Sequence, residues 1–187
     1  MGESMILNTK KFMTAAVFIA SVSISIMAQS AVGSAQRMPS KTTRPVVVLQ
    51  AQALGDLEKK LHPANKVEEL IDSNGMQLRV AVQHEKNTPA ASGEVHDASD
   101  DVYYVLEGSA TLTMGGTLEA PHEVEPGEWR GPHIVGGQQY EVKKGDLIIV
   151  PRGTPHQRST IGQDFSMILI KVYQEPRHLA RSKSDAK

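Results

Sequence analysis

The chain has 187 residues, 20 Lys and Arg against 21 Asp and Glu, seven His, one Trp and no Cys. That length suits one domain, and the formal net charge of −1 offers no basic excess for nucleic acid. The missing cysteines exclude disulfides, thiolate nucleophiles and sulfur-ligated zinc, so any metal centre must be built from His and carboxylates.

Lys10 and Lys11 precede an apolar run from Phe12 to Ala28, and small residues follow as far as Ala35. A charged start, a short apolar stretch and a small-residue exit make residues 1–35 a predicted secretory signal peptide. The competing reading is an uncleaved membrane anchor. The run contains several Ser and Thr and falls short of the roughly 20 apolar residues that a spanning helix needs. Cleavage between Ala28 and Gln36 would leave a secreted or periplasmic protein with no stable membrane association.

Residues 36–65 read as a polar, proline-punctuated arm followed by a short helix, in which Leu54, Leu57 and Leu61 recur at helical spacing. Residues 66–174 read as strands and turns. Val67–Ile71 and Met76–His84 flank Asn74 and Gly75, the pair that supplies the positive φ angles of a tight hairpin. In the second strand Met76, Leu78, Val80, Val82 and His84 share one face, and Gln77, Arg79 and Gln83 share the other. His84 on that apolar face is a core histidine or a substrate contact.

Further strands are expected over Val102–Glu107, Ala110–Met114, Gln139–Val142, Asp146–Val150 and Phe165–Tyr173, with Gly or Pro between almost every pair. Many short strands with turn signals point to an antiparallel sandwich or barrel. The segment 115–137, with His122, Trp129 and His133, is too irregular for a core strand. It reads as a surface loop, or as a lid over a barrel mouth. Residues 175–187 form a charged, flexible tail.

Two segments carry candidate chemistry. In the first, Glu94 and His96 are two apart and share a strand face, and Asp101 follows after a gap long enough for a turn. In the second, an apolar strand after Gly145 is stopped by Pro151. Gly153 then permits a tight turn, Pro155 stiffens the approach, and His156 opens the next strand. Arg158 and Thr160 share the parity of His156. A phosphate-binding Gly-rich loop, a dinucleotide fingerprint and a nucleophile elbow are all missing.

These segments resemble the paired motifs of the cupin superfamily. Gly145, Pro151, Gly153 and His156 match the second motif, with Thr160 where Asn is usual. Glu94, His96, Asp101 and Gly108 match the spacing of the first, although Glu94 replaces a His and Asp101 a longer Glu. The resemblance implies an all-β antiparallel barrel, or jelly roll, carrying a short N-terminal helix. It also implies a divalent transition metal (Fe, Mn, Ni or Zn) held by Glu94, His96, Asp101 and His156, with Asp100 as an alternative to Asp101. His84, Tyr104, Arg158 and Thr160 are expected to line the substrate pocket. A metal-dependent oxygenase or isomerase acting on a small polar molecule follows from that reading. A non-catalytic module binding a sugar or organic acid is the alternative, and the sheet edges could pair in a homodimer.

Overall fold

The computed structural model describes residues 41–42, 44–89, 91–160 and 162–177. By internal contacts the chain divides into units 1–43 and 44–187, and every element below belongs to the second. The expected signal peptide and the tail beyond Arg177 lie outside the described residues. Among the described residues no helix is long and apolar enough to cross a membrane.

Helix α1 (Ala51–Leu61) forms where the leucine spacing predicts it and buries Leu61. Strands β1 (Lys66–Ile71) and β2 (Leu78–Lys86) make the expected antiparallel hairpin. Its turn has Gly75 at φ +71°, and the Asn74 amide donates to the Asp72 carboxylate at 2.9 Å. Then come β3 (Gly93–His96), β4 (Ser99–Met114), β5 (Thr117–Leu118), β6 (His122–Glu125) and β7 (Glu128–Gly131). The last strands are β8 (Ile134–Val135), β9 (Gln138–Lys143), β10 (Leu147–Val150), β11 (His156–Ser159) and β12 (Asp164–Tyr173).

β4 organises the fold. Two strands were expected, Val102–Glu107 and Ala110–Met114, but the chain runs through both as one 16-residue strand. Up to Gly108 it pairs with β12 on one edge and β10 on the other. From Ser109 onward it pairs with β9 and β11. The first half thus belongs to a sheet with β1, β2, β12 and β10, and the second to a sheet with β9, β11, β3, β7 and β6. β5 and β8 form a small pair of their own.

Gly108 is the corner between the two sheets. Its φ is +74°, and a Cβ there would stand 1.9 Å from the Asp164 carbonyl oxygen. That oxygen belongs to β12, whose ladder with β4 prevents it from yielding. Gly108→Ala should cost about 1–3 kcal/mol through the left-handed backbone alone, and more through the clash. Urea denaturation measures it; a loss below about 0.5 kcal/mol, the level of an ordinary surface change, would show that the corner tolerates a side chain.

The space between the sheets has two characters. One part is apolar, built from Val105, Ala110, Leu112, Val142, Phe165 and Met167 among others. The other is polar, and this corrects the expectation for β2. Its alternation is as predicted, but Arg79 and Gln83 face a cavity between the sheets. Ala81 is buried on that side opposite Leu169. The face carrying Leu78, Val80, Val82 and His84 turns the other way, and α1 packs against β2. The interior accepts β2's polar face because charged partners from other strands meet it there. The segment 115–137 is not merely a surface loop either. Its β6–β7 hairpin joins the second sheet beside β3.

Candidate metal centre

The turn between β10 and β11 does what its prolines and glycine suggest. Gly153 sits at φ +76°, and the Thr154 amide donates to the Pro151 carbonyl at 3.1 Å. The Gly153 amide donates to the His96 carbonyl at 2.8 Å, so the turn is stitched directly to β3. Leaving it, His156 pairs across the strands with Glu94. Cross-strand partners present side chains to the same face, which brings residues 62 positions apart in sequence into one site.

Three ligand-bearing atoms converge there, the donors of Glu94, His96 and His156, all within 4.8 Å of one another. Glu94 Oε2 lies 3.4 Å from His96 Nε2 and 3.7 Å from His156 Nε2. Two ligands each 2.0–2.2 Å from a shared ion stand about 3.0–3.6 Å apart, so the set fits a small divalent cation. The tautomers fit as well. His156 Nδ1 donates to the Thr154 carbonyl at 2.9 Å, and His96 Nδ1 donates to Glu128 at 2.6 Å. Each ring therefore directs Nε2 inward, and both Nε2 atoms are buried without a hydrogen-bond partner. A ring nitrogen whose opposite edge is held by a carboxylate or carbonyl is the usual posture of a metal-binding His.

Asp101 stands at the edge of this group. Its Oδ2 is 3.4 Å from His96 Nε2 and accepts from the Tyr103 hydroxyl at 3.0 Å. Its Oδ1 is 2.9 Å from Lys171 Nζ. That Oδ1 contact is an ion pair without a hydrogen bond of good geometry, and Asp101 is not among the three residues whose donors all meet. Asp100 points elsewhere: Arg152 holds it through backbone and guanidinium hydrogen bonds at 2.8–3.1 Å.

The electrostatics follow from burial and partners. Burial disfavours the charged form of His96, yet the surrounding carboxylates of Asp101, Glu128 and Glu94 prevail and raise its pKa to about 10. Burial acts to raise Glu94, but His96 and then Arg130 pull it down to about 2. Asp101 is likewise held well below the usual carboxylate range, against burial, by His96 and Lys171. His156 moves the other way, because burial keeps its imidazole neutral.

The predicted pocket residues divide. Arg158 faces the interior, donating to Glu85 at 2.9 Å through Nε and also through Nη2. Tyr104 does not; its side chain is exposed, and the alternation of β4 gives the interior position to Tyr103 instead. Thr160 is fully buried but staples two chain segments, its hydroxyl accepting from the Thr88 amide at 2.7 Å. His84 lies on the opposite face of β2, hydrogen-bonded to Ser166 at 2.9 Å.

Sequence reasoning missed Glu128, Arg130 and Lys171. The first two lie opposite His96 and Glu94 on β7, a pairing with no local signature. Lys171 did have one. In β12 it shares parity with Phe165, Met167, Leu169 and Tyr173, all buried, and a lysine in such a row marks a charged interior. Around these groups is a cavity of about 160 Å³ lined by Arg79, Arg130, Arg158, Lys171, Glu94, His96 and Asp101.

No protein-family profile matches the chain. Over 83 residues it is 30% identical to an uncharacterized protein of Methanocaldococcus jannaschii, a match covering 44% of this chain and half the length of that relative. Similar solved structures include a Bacillus halodurans protein (21% identity, TM-score 0.49, 74% of this chain and 88% of that one). The DMSP lyase DddQ of Ruegeria pomeroyi is another (18%, 0.43, 62% and 50%). A third is a cupin superfamily protein of Desulfitobacterium hafniense (17%, 0.41, 59% and 81%). Two antiparallel sheets sharing β4, with the Pro151–His156 turn docked on the Glu94–His96 strand, form an antiparallel β-barrel of the jelly-roll type that the sequence motifs imply.

Proposed function

We propose that the barrel holds a divalent transition metal through Glu94, His96 and His156, with Asp101 as the candidate fourth ligand, and acts as a metal-dependent enzyme on a small polar molecule. The observation that carries this reading is the pair of buried, unpartnered Nε2 atoms facing one carboxylate. A metal there would act as a Lewis acid toward substrate oxygens. Arg79, Arg130 and Lys171 suit a substrate with a carboxylate or other negative group. Tyr103, whose pKa is driven upward by burial and by Asp101, keeps its proton and uses it in the hydrogen bond that holds Asp101 in place.

Metal content and affinity of the full chain test the proposal. His156→Ala should lose most of the barrel ion, because it deletes an imidazole from a site with few protein ligands. Glu128→Gln should weaken binding about 10–100-fold by loosening His96. Unchanged binding in both folded variants would refute the centre. A second reading, a module that binds an organic acid without turnover, is favoured by the ionised state of the acids at the centre. Glu94, Asp101 and Glu128 are all pulled downward, so none is poised as a neutral proton donor. Stoichiometric ligand binding by a protein that takes up no metal would select it.

We also propose export. Mass spectrometry of the chain expressed in a Gram-negative host should find a new N-terminus between Ala28 and Gln36; an intact Met1 form confined to membranes would overturn it.

A further inference from the structure

On the far side of β2 from the barrel centre lies a second group of metal-ligating side chains. Glu58 and His62 come from the last turns of α1 and the residue that caps it, Glu107 from β4 and His84 from β2. Donor atoms of Glu58, His62 and Glu107 all lie within 4.8 Å of one another. His62 Nε2 is 3.0 Å from Glu107 Oε2, yet it makes no hydrogen bond of acceptable geometry and is buried without a partner. Glu58 Oε1 is also buried and unpartnered.

His84 supplies the independent observation. Its side chain is fully inaccessible, its Nδ1 is taken by the Ser166 hydroxyl, and its Nε2 has no hydrogen-bond partner. The ring sits against that of His62, with centroids 4.8 Å apart, and Nε2 faces Asp164 Oδ2 at 3.9 Å. Leaving a buried polar atom unpaired costs about 1–3 kcal/mol, so the unpaired atoms of Glu58, His62 and His84 make a purely apolar packing role a poor account of this face.

We infer that Glu58, His62 and Glu107 form a second divalent-cation site, backed by the buried His84 ring, that clamps α1 to the barrel. One imidazole and two carboxylates without sulfur suit zinc. The site is separate from the barrel centre and shares no ligand with it. Its role is to fasten the helix: α1 is largely exposed, with Leu61 its one fully buried side chain, so hydrophobic packing alone holds it weakly.

The test uses the full chain, stripped with chelator and titrated with Zn²⁺ alone, in a His156→Ala background that disables the barrel centre. That protein should still take up one equivalent. His62→Gln and Glu107→Gln, both at partly exposed positions and checked for folding by circular dichroism, should each lose it. Tryptic cleavage after Lys59 and Lys60 should slow on adding zinc, and the slowing should vanish in His62→Gln. Uptake of no zinc by the His156→Ala protein would overturn the site. So would one retained equivalent in both folded substitutions, or cleavage indifferent to zinc.

Discussion

Arg158→Met should destabilise the protein by about 3–5 kcal/mol, the cost of removing one partner from a buried ion pair. Arg158 and Glu85 have side chains only 12% and 10% exposed. They join the two sheets, one residue on β11 and the other on β2. The methionine keeps much of the apolar stem but loses the guanidinium that stands 5.7 Å from the ring centres of Tyr103 and Phe165, so the loss comes mainly from stranding Glu85. Its remaining bond is from the Gln83 amide at 2.7 Å, which carries no charge. Replacing both members, as in Arg158→Met with Glu85→Leu, should recover most of the loss, since apolar substitutes for a buried pair are often neutral. Urea denaturation of the two single variants and the double variant at neutral pH closes the cycle. A single-variant cost below about 1 kcal/mol, typical of a surface pair, would mean that water reaches Glu85.

Metal affinity at the barrel centre should rise about tenfold per pH unit above pH 6.5, roughly a hundredfold by pH 8.5. In chelator-stripped protein His96 holds its proton up to about pH 10, and an ion must displace it. His156, kept neutral by burial, and the ionised Glu94 contribute no further protons in that window. Calorimetric titration with Mn²⁺ in two buffers of different ionisation enthalpy should therefore register one proton released per ion. The stripped protein should show the opposite trend in stability. A folded pKa raised above the unfolded value gives stability that is complete below about pH 6.5 and is lost as pH climbs toward 10. Pairing the two measurements matters, because a general effect of pH on the fold would move both in the same direction. A flat affinity between pH 6.5 and 8.5 would show that His96 binds no proton there and that its three carboxylate neighbours are more solvated than their burial implies.

Local chemistry explains which parts of this architecture could be read in advance. The Pro151–Pro155 turn announces itself because two prolines and a glycine restrict a handful of adjacent dihedrals. The shared face of Glu94 and His96 follows from strand alternation alone. The position of β7 does not, because Glu128 meets His96 only through a pairing across 32 residues, and sequence spacing carries no information about which strands become neighbours. The two faces of β2 were separable, but their direction was not. Apolar residues usually point to the interior, whereas this interior carries Arg158, Lys171 and Asp101, so the polar face turned inward and a helix covered the other. Tyr104 was misplaced for a smaller reason. Tyr103 and Tyr104 are adjacent, and parity set by Asp101, not aromatic character, decides which one enters the barrel.

β4 has a bearing on cooperativity. A single strand serves as a rung of both sheets, so opening either one strips hydrogen bonds from the other, and the barrel should unfold in a single transition. The most slowly exchanging amides of both sheets should accordingly lie on the same strand, on either side of Gly108. The partners of β4 are β9, β10, β11 and β12, all later in the chain, and the last of them ends at Tyr173. During synthesis the longest strand of the protein emerges with no neighbour to receive it, and the barrel cannot close until its final strand has left the ribosome. Contacts of such long sequence separation make folding slow. Until closure the chain depends on the charges along β4 and β12 to keep an unpaired edge from finding the wrong partner.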